Sequence, residues 1–170
     1  MILNNKTWII NHENQIFYIR DAQPEDLEQV FQLAYSEMDE ILQSAFKKTG
    51  GFNWKIWKDG LKQALYLPDE AVKIIETSSD PKQFIGFYWA SSEEIIWLTS
   101  LVIAPLWQRR GIGKQIMNLI EKTLHTKNQK FIELGVQDEN SAINFYKKLG
   151  FRPIERWEGR TIIMQKQLEN

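Results

Sequence analysis

The chain has 170 residues, of which 43% are hydrophobic and 25% charged, so one globular domain over residues 1–170 is expected to bury its own core. It contains no cysteine, which excludes a disulfide framework, a thiolate zinc site and a cysteine nucleophile. Its formal net charge of -1 provides no overall basic field, so nucleic acid is not an expected partner.

The N-terminus and the apolar runs of the chain bear on where the protein resides. The first ten residues include Asn4, Asn5, Lys6 and Thr7, so the apolar core of a signal peptide is not predicted. No window approaches the ~20 apolar residues that a membrane span requires. The two histidines show no metal-ligand spacing, so a metal site is not expected either. The default expectation is a cytoplasmic protein without a membrane partner.

The first third of the chain predicts one strand and two helices. After irregular structure from Thr7, a strand is expected at Ile16–Arg20. Pro24 and the acids after it start an amphipathic helix that extends to about Leu42. A loop with two glycines then leads to a second helix at Trp54–Leu65, which a proline stops.

The middle of the chain is rich in strands. Three are predicted, at Ala71–Thr77, Phe84–Ala90 and Glu94–Ile103. The polar stretches Ser78–Pro81 and Ser91–Ser92 lie between them and are typical of hairpin turns. These strands are therefore expected to form an antiparallel meander.

The last third alternates helices and strands. A helix with an apolar stripe is predicted from about Gly111 to Leu124, followed by a strand at Phe131–Val136. A short helix at Asn140–Leu149 ends at a glycine, and two closing strands follow at Phe151–Trp157 and Thr161–Gln167. This order of elements indicates an α/β fold with a mixed sheet.

One segment, Leu101 to Lys114, joins a strand end, a proline and a glycine-spaced helix start. Amides at the start of a helix, backed by the helix dipole, favour an anion. Gly111 and Gly113 leave the backbone open to a ligand, and Arg109, Arg110 and Lys114 add charge-assisted contacts. The predicted ligand is a pyrophosphate, and the alternative is a glycine turn with solvated arginines.

Two familiar phosphate loops do not fit this segment. A P-loop requires Ser or Thr after its lysine and a glycine farther upstream, whereas Lys114 is followed by Gln115. A dinucleotide fingerprint requires a third glycine, where this chain has Ile116. The remaining pattern, Gln-x-x-Gly-x-Gly between a strand and an amphipathic helix, resembles the acetyl-CoA loop of the GNAT acetyltransferases.

A second segment, Val136 to Phe151, carries the other half of the resemblance. It contains a strand end, Asn140, a short helix with Tyr146, and then Gly-Phe. Taken alone, Asn140 is an ordinary helix cap and Tyr146 an ordinary core residue. Both segments in this order and spacing are similar to the GNAT (GCN5-related N-acetyltransferase) superfamily, over roughly Gln83 to Phe151.

The resemblance implies the GNAT fold, with about seven strands, four helices and a V-shaped cleft between the two central parallel strands. Acetyl-CoA would lie in this cleft, with its pantetheine arm along the cofactor strand and its pyrophosphate on the loop. The cofactor-binding residues implied by the resemblance are Leu101, Val102, Ile103, Gln108, Arg109, Arg110, Gly111, Ile112, Gly113, Lys114, Asn140 and Tyr146.

The resemblance also implies an enzyme, an N-acetyltransferase that moves the acetyl group of acetyl-CoA to a primary amine by direct attack. Tyr146 would point at the sulfur and donate to the leaving thiolate. Glu133 is the first candidate for the general base, and Glu94 and water are the alternatives. Relatives that acetylate protein N-termini carry an acid where this chain has Gly135, which counts against that class of substrate.

The sequence leaves the amine acceptor open. Tryptophans of the second helix are candidates to wall an acceptor pocket, although core packing is their ordinary role. Glu37, Asp39 and Glu40 are either an attractant for a cationic amine or a solvated helix face. A polyamine, an aminoglycoside-like amine, an amino acid and a protein lysine are all consistent with the sequence.

Two rival interpretations come from other classes of protein. One is a non-catalytic or regulatory CoA-binding module, against which Tyr146 argues. The other is a nucleic-acid binder, against which the balanced charge argues. The basic residues of that second interpretation are Arg109, Arg110, Lys114, Lys122, Lys127 and Lys130. A homodimer formed through the C-terminal strands is an expectation from the family resemblance.

Overall fold

One mixed sheet runs through the residues that the computed structural model describes, which are 7–10, 15–125 and 129–169. In chain order its strands are β1 (Thr7–Ile10), β2 (Ile16–Asp21), β3 (Glu70–Thr77), β4 (Phe84–Ser92), β5 (Ile96–Ile103), β6 (Phe131–Gln137), β7 (Arg152–Trp157) and β8 (Thr161–Gln167). The helices are α1 (Leu27–Ala45), α2 (Trp54–Ala64), α3 (Ile112–Leu124) and α4 (Ala142–Lys148).

The strand order across the sheet is β1-β2-β3-β4-β5-β6-β8-β7. Every neighbouring pair is antiparallel except β5 and β6, which are parallel. The connection between these two parallel strands is α3, the crossover that a parallel pair requires. The predicted α/β fold with a mixed sheet is therefore confirmed, and each of the four predicted helices is present.

The structure differs from the prediction at two strands. Thr7–Ile10 forms β1, paired antiparallel with β2, where irregular structure was predicted. Its aromatic and β-branched residues suit a strand, so the described sheet has eight strands rather than about seven. In addition, β5 begins at Ile96 and not at Glu94, because residues 93–95 form the bend that follows β4.

Helices cover both faces of the sheet, which gives the molecule two buried clusters. The α3 face lies under α3 and α4 and includes Ile116, Leu98 and Leu134. The α1 face lies under α1 and α2 and includes Val30 and Val102. Each helix contributes a stripe of apolar side chains at helical spacing, so burial of these stripes against the sheet supplies most of the stabilisation.

Strand β5 changes face at Thr99. On β4, Trp89 pairs with Ser100 whereas the next residue, Ala90, pairs with Leu98, so Thr99 is an extra residue in a β-bulge. Because of this one-residue shift, Leu98 packs on the α3 face while Val102 packs on the α1 face. Without the bulge, an interval of four residues would leave both side chains on one face.

A buried ion-pair network ties the start of α1 to the sheet. The Arg20 guanidinium donates to both carboxylate oxygens of Asp26, at 2.7 and 2.9 Å, and to Glu76 Oε2 at 3.1 Å. Asp26 also accepts the Gln23 amide at 2.8 Å, which closes the short 3-10 turn before the helix. Burial opposes ionisation of Asp26, but the bonds from Arg20 and Gln23 outweigh it and lower the pKa of Asp26.

Candidate active site

The two parallel strands part at their carboxyl ends. Their pairing covers only Ile96–Leu98 of β5 and 132–134 of β6. Beyond it β5 stays paired with β4 as far as Ile103, and β6 stays paired with β8 as far as Gln137. The inner edges of residues 99–103 and 135–137 therefore face each other across a gap. The predicted V-shaped cleft between the two central parallel strands is confirmed.

The gap begins at the bulge of β5. Thr99 is the bulged residue, and Ser100 is the first residue after it. The Ser100 side chain is 5% exposed, and within the described residues its hydroxyl has no hydrogen-bond partner. A buried hydroxyl without a partner is uncommon and requires an explanation, for which a bound molecule or water in the gap is the direct candidate.

The loop after β5 presents backbone amides at the mouth of the gap. Arg109 and Gly111 have positive φ values of 64° and 78°, and α3 begins at the next residue, Ile112. Among the residues that the structure describes, no side chain caps this helix start. The first-turn amides have no intrahelical partner, so those of Ile112, Gly113 and Lys114 can donate to an anion. The predicted glycine-spaced helix start is present in the backbone, and its binding of an anion stays a prediction.

The side chains of this loop have different surroundings. Arg109 and Lys114 are exposed, whereas the Arg110 guanidinium lies 5.0 Å from the centre of the Trp107 ring. A Cβ added at Gly113 would lie 3.3 Å from Phe145 Cζ. The missing side chain of Gly113 therefore permits close packing of α3 on α4, in addition to the open backbone that the sequence indicated.

Gln108 connects three elements. Its side-chain amide donates to the Ile103 carbonyl at 2.8 Å and to Glu37 Oε2 at 3.0 Å. The end of β5 and α1 are thereby fixed relative to the loop. The structure thus gives the Gln108 side chain and the Glu37 carboxylate a positioning contact that sequence reasoning did not find, because their separation of 71 residues leaves no local signal.

The second predicted segment follows β6, and its buried residues pack on the α3 face. Asn140 Oδ1 accepts the Ala142 amide at 2.9 Å in a turn directly before α4, whose N-cap residue is Ser141 and not, as predicted, Asn140. Tyr146 is 9% exposed and packs edge-on between Phe145 and Phe151, with centroids 5.1 and 5.7 Å away. Burial raises the pKa of Tyr146 to about 12. The phenol therefore keeps its proton at neutral pH.

The candidate general bases lie at unequal distances from the gap. Glu133 pairs with Trp97 in the last closed part of β5 and β6, one residue before pairing ends, and its Oε1 accepts Gln165 Nε2 at 2.6 Å. Glu94 is exposed in the bend before β5, six residues before Ser100. At about 3.3 Å per residue it lies roughly 20 Å from the gap, at the opposite end of the strand.

A cavity of about 750 Å³ adjoins the gap on the α1 face, and we call it the α1-face cavity. Strand residues Thr99, Gly135 and Gln137 form its floor. Its apolar walls come from Met38, Leu42, Phe46, Phe52, Trp57 and Trp157. Arg156, Glu158 and Thr161 of the β7–β8 hairpin complete the lining. Of the second-helix tryptophans considered from the sequence, Trp57 lines this cavity.

The α1-face cavity was not predicted as a whole, because its walls come from distant segments. The acids Glu37, Asp39 and Glu40 do not line it. Asp39 instead accepts Trp54 Nε1 at 2.7 Å, and this bond lowers the pKa of Asp39. Asp39 therefore helps to hold α1 against the start of α2.

Two further kinds of feature are absent from the described part of the chain. Within it, no three His, Cys, Asp or Glu side chains are grouped so that they could hold a metal ion. No helix there has both the length and the apolar composition needed to cross a membrane. Lys127, one of the basic residues of the nucleic-acid interpretation, lies outside the described residues.

A mixed sheet with one parted parallel pair, beside a helix start with free amides, defines the acetyltransferase class of α/β fold. The family described as "Acetyltransferase (GNAT) domain" matches residues 68–153. The chain therefore belongs to the GNAT acetyltransferase family, and the resemblance drawn from the two sequence segments is confirmed.

Individual relatives agree with this assignment. An uncharacterized N-acetyltransferase of Methanocaldococcus jannaschii is 26% identical over 137 residues, which are 72% of this chain and 60% of that protein. The chain thus spans less than two thirds of this curated relative.

Solved structures share the fold at low identity. The PaiA N-acetyltransferase of Thermoplasma acidophilum, in complex with coenzyme A, has a TM-score of 0.66 at 23% identity and covers 89% of this chain and 98% of its own. Arabidopsis thaliana NAA60, in complex with a bisubstrate analogue, has a TM-score of 0.68 at 16% identity and covers 90% and 99%.

Proposed function

We propose that this protein is an N-acetyltransferase that transfers the acetyl group of acetyl-CoA to a primary amine. The observation that carries the proposal is the gap between β5 and β6, with unpaired backbone on both sides and an anion-binding helix start at its mouth. The family membership and the coenzyme A bound to the Thermoplasma acidophilum neighbour support the same cosubstrate.

The residues around the gap fit acetyl-CoA. The pyrophosphate would accept hydrogen bonds from the loop amides between Arg109 and Lys114, with both side chains exposed to the phosphates. The pantetheine arm would lie along the inner edge of Leu101–Ile103, as an added strand lies along a sheet edge. Asn140 uses its Oδ1 in the turn before α4, so its side-chain NH2 is the group available to the arm.

The transfer is a direct displacement. The amine nitrogen attacks the thioester carbon, a C–N bond forms, the C–S bond breaks, and the nitrogen loses one proton while the sulfur gains one. An alkyl ammonium titrates near ~10, so a base must remove its proton at neutral pH. The amide edge of β5 provides donors to the carbonyl oxygen as negative charge develops on it.

Tyr146 acts in this proposal as a hydrogen-bond donor to the leaving sulfur. With the pKa of Tyr146 at about 12, full proton transfer to a thiolate of reference pKa ~8.5 is uphill by about 3.5 units, or roughly 5 kcal/mol. A hydrogen bond to the developing thiolate avoids that cost, so a proton from solvent completes the step.

The general base is either Glu133 through a water chain or water alone. Glu133 is next to the gap, but its carboxylate already accepts a hydrogen bond from Gln165. In this proposal such a water chain begins at the buried Ser100 hydroxyl, which has no hydrogen-bond partner among the described residues. A Glu133→Gln variant with an unchanged pH–rate profile would leave water as the base.

The alternative function is a CoA-binding module without acyl transfer. It shares the gap and the loop, but it assigns no role to the separate cavity next to the gap. A cytoplasmic location and a homodimer through the C-terminal strands remain predictions from the sequence.

The test combines binding with turnover. Calorimetric titration with acetyl-CoA is expected to give saturable binding, and release of free CoA is expected when primary amines are added. Saturable binding without release for any amine would favour the alternative, and no binding would refute both. Because the chain has no cysteine, a thiol reagent detects released CoA without background from the protein.

A further inference from the structure

We infer that the acceptor of the proposed transfer is a monoamine with an apolar body of about the size of an aromatic ring, held in the α1-face cavity. The inference rests on the proposed function, because it assigns the second substrate of the same site. Of the four kinds of acceptor left open by the sequence, the inference disfavours the polyamine and the aminoglycoside-like amine, and its basis is the lining of the cavity.

The floor of the cavity is the gap itself. Thr99 is the bulged residue of β5, and Gly135 and Gln137 belong to the part of β6 that has left β5. A Cβ added at Gly135 would lie 3.0 Å from Thr161 Cγ2 and 4.0 Å from Trp97 Cζ2. Glycine therefore keeps this floor clear, and an amine nitrogen placed there would be next to the thioester end of the gap.

The walls of the cavity are aromatic and fixed in place. Trp157 stacks on Trp97 with centroids 5.6 Å apart and planes 16° from parallel. Phe52 is held through its backbone, because Gln43 accepts its amide at 3.1 Å and donates to its carbonyl at 3.2 Å. Phe52 in turn packs edge-on against Phe46 at 5.6 Å. A site that is already formed and aromatic suits a flat apolar group.

The charges around the cavity do not suit a polycation. In the described lining, Arg156 and Glu158 are one cation and one anion. Arg156 Nη1 lies 3.4 Å from Asp138 Oδ2 outside the cavity. A polyamine or aminoglycoside would bring a second ammonium among aromatic walls with a single acid to balance it, which is unfavourable. A body without charge instead gains free energy in proportion to its buried apolar area.

The volume of the cavity is sufficient to admit a small acceptor. About 750 Å³ lies within the range of small-molecule sites, which run from roughly 300 to 1,000 Å³. The walls leave the reacting nitrogen at the strand floor and the apolar body against α1, the loop after it and the β7–β8 hairpin.

The experiment compares 2-phenylethylamine with 1,4-diaminobutane at saturating acetyl-CoA, with release of free CoA as the readout. We expect kcat/KM for 2-phenylethylamine to be at least about tenfold higher, as is usual when a hydrophobic pocket chooses between substrates. Turnover with an equal or reversed preference would overturn the inference and leave the proposed function standing.

Trp157→Ala and Ile154→Ala form a matched pair of variants on β7. Trp157 is 52% exposed and lines the cavity, whereas Ile154 is 50% exposed and does not. We expect Trp157→Ala to raise the KM for 2-phenylethylamine about tenfold with an unchanged KM for acetyl-CoA, and Ile154→Ala to change neither. Unchanged kinetics in Trp157→Ala would overturn the assignment of the cavity.

A binding measurement distinguishes failure of the proposed acetyl transfer from failure of the inference about the acceptor. If no amine releases CoA, the proposed transfer fails. Calorimetry of the CoA-loaded protein with 2-phenylethylamine and 1,4-diaminobutane then decides the inference: selective binding of 2-phenylethylamine would support the acceptor class as a ligand class, and no selective binding would overturn it.

Discussion

Packing around Tyr146 keeps its phenol protonated for the proposed hydrogen bond to the leaving sulfur. It packs between Phe145 and Phe151 on the α3 face, and burial raises its pKa to about 12. The same apolar packing that stabilises α4 therefore keeps the phenol protonated and ready to donate. The sequence alone predicted the residue and its element, but its pKa depends on packing partners that only the fold brings together.

Tyr146→Phe removes this donor and little else. We expect kcat to fall by about two orders of magnitude, the size of effect typical for a donor to a reacting group. The KM for acetyl-CoA should stay within about twofold, because the ring remains in its packing site. Steady-state kinetics check both numbers, and a variant with wild-type kcat would exclude Tyr146 from the reaction.

Lys114 tests the anion site at the start of α3. Lys114→Glu places a negative charge next to the proposed pyrophosphate, so the Kd for acetyl-CoA should rise at least about tenfold. An acid in the first turn suits the helix dipole, so the melting temperature should not fall. Calorimetry and a thermal melt measure the two effects.

Lys122→Glu is the control for that charge change. Lys122 is exposed in the last turn of the same helix, away from the loop. Its substitution should leave the affinity for acetyl-CoA unchanged. Equal losses of affinity in both variants would indicate a general charge effect and would contradict the assignment of the loop.

At the scale of elements, the β7–β8 turn is held against α1 by one close contact. Gly159 has a φ of 64°, and a Cβ added there would clash with the ring of Phe46. Phe46 also lines the α1-face cavity. The turn can therefore lie next to the cavity because Gly159 has no side chain.

Gly159→Ala should push this turn away from α1. We expect a loss of stability of about 2–3 kcal/mol, from the positive φ and the overlap together, and a higher KM for the acceptor amine. Gly50→Ala is the matched control, since its φ is 97° but nothing lies within 4 Å of the added Cβ. Urea unfolding compares them, and equal losses would show that the Phe46 contact contributes nothing.

The ion-pair network at the start of α1 is a second contact that connects elements, here α1 and the sheet. Asp26 is 7% exposed and its pKa is lowered by Arg20, so its charged form stabilises the native state above its ordinary pKa of 3.8. This stabilisation is lost as the pH falls through the lower, folded-state pKa.

Asp26→Asn should therefore cost about 3 kcal/mol near neutral pH and progressively less below about pH 4. Urea midpoints of the variant and the wild type at the two pH values measure the change. Lys55→Ala breaks an exposed pair with Asp59 and should have no measurable effect. A constant difference between Asp26→Asn and the wild type at both pH values would contradict the network.

Elements and their order could largely be predicted, because they follow from local patterns. The apolar stripe of α3 and the glycine after α4 define those helices without tertiary information. The bulge at Thr99 could not be predicted, since it is a property of the register between β4 and β5. Glu94 was wrongly placed in a strand, because residues 93–95 form a bend that the alternating pattern did not reveal.

For the whole molecule, the two halves of the site differ in how far the sequence predicts them. The proposed CoA site is built from two continuous segments, so its residues have fixed spacings. The α1-face cavity is built from α1, the loop after it, α2, two strand ends and a hairpin. Residues such as Phe52 and Trp157 meet there only through the fold, and no short pattern connects them.

The central claim is that acetyl-CoA occupies the gap between β5 and β6 and the amides at the start of α3. Amide hydrogen exchange with and without acetyl-CoA measures this directly. We predict that protection on binding is concentrated in residues 99–103 and 109–115, while β2 and β3 on the far side of the sheet are unchanged. If acetyl-CoA changes the hydrogen exchange of neither segment, the claim is contradicted.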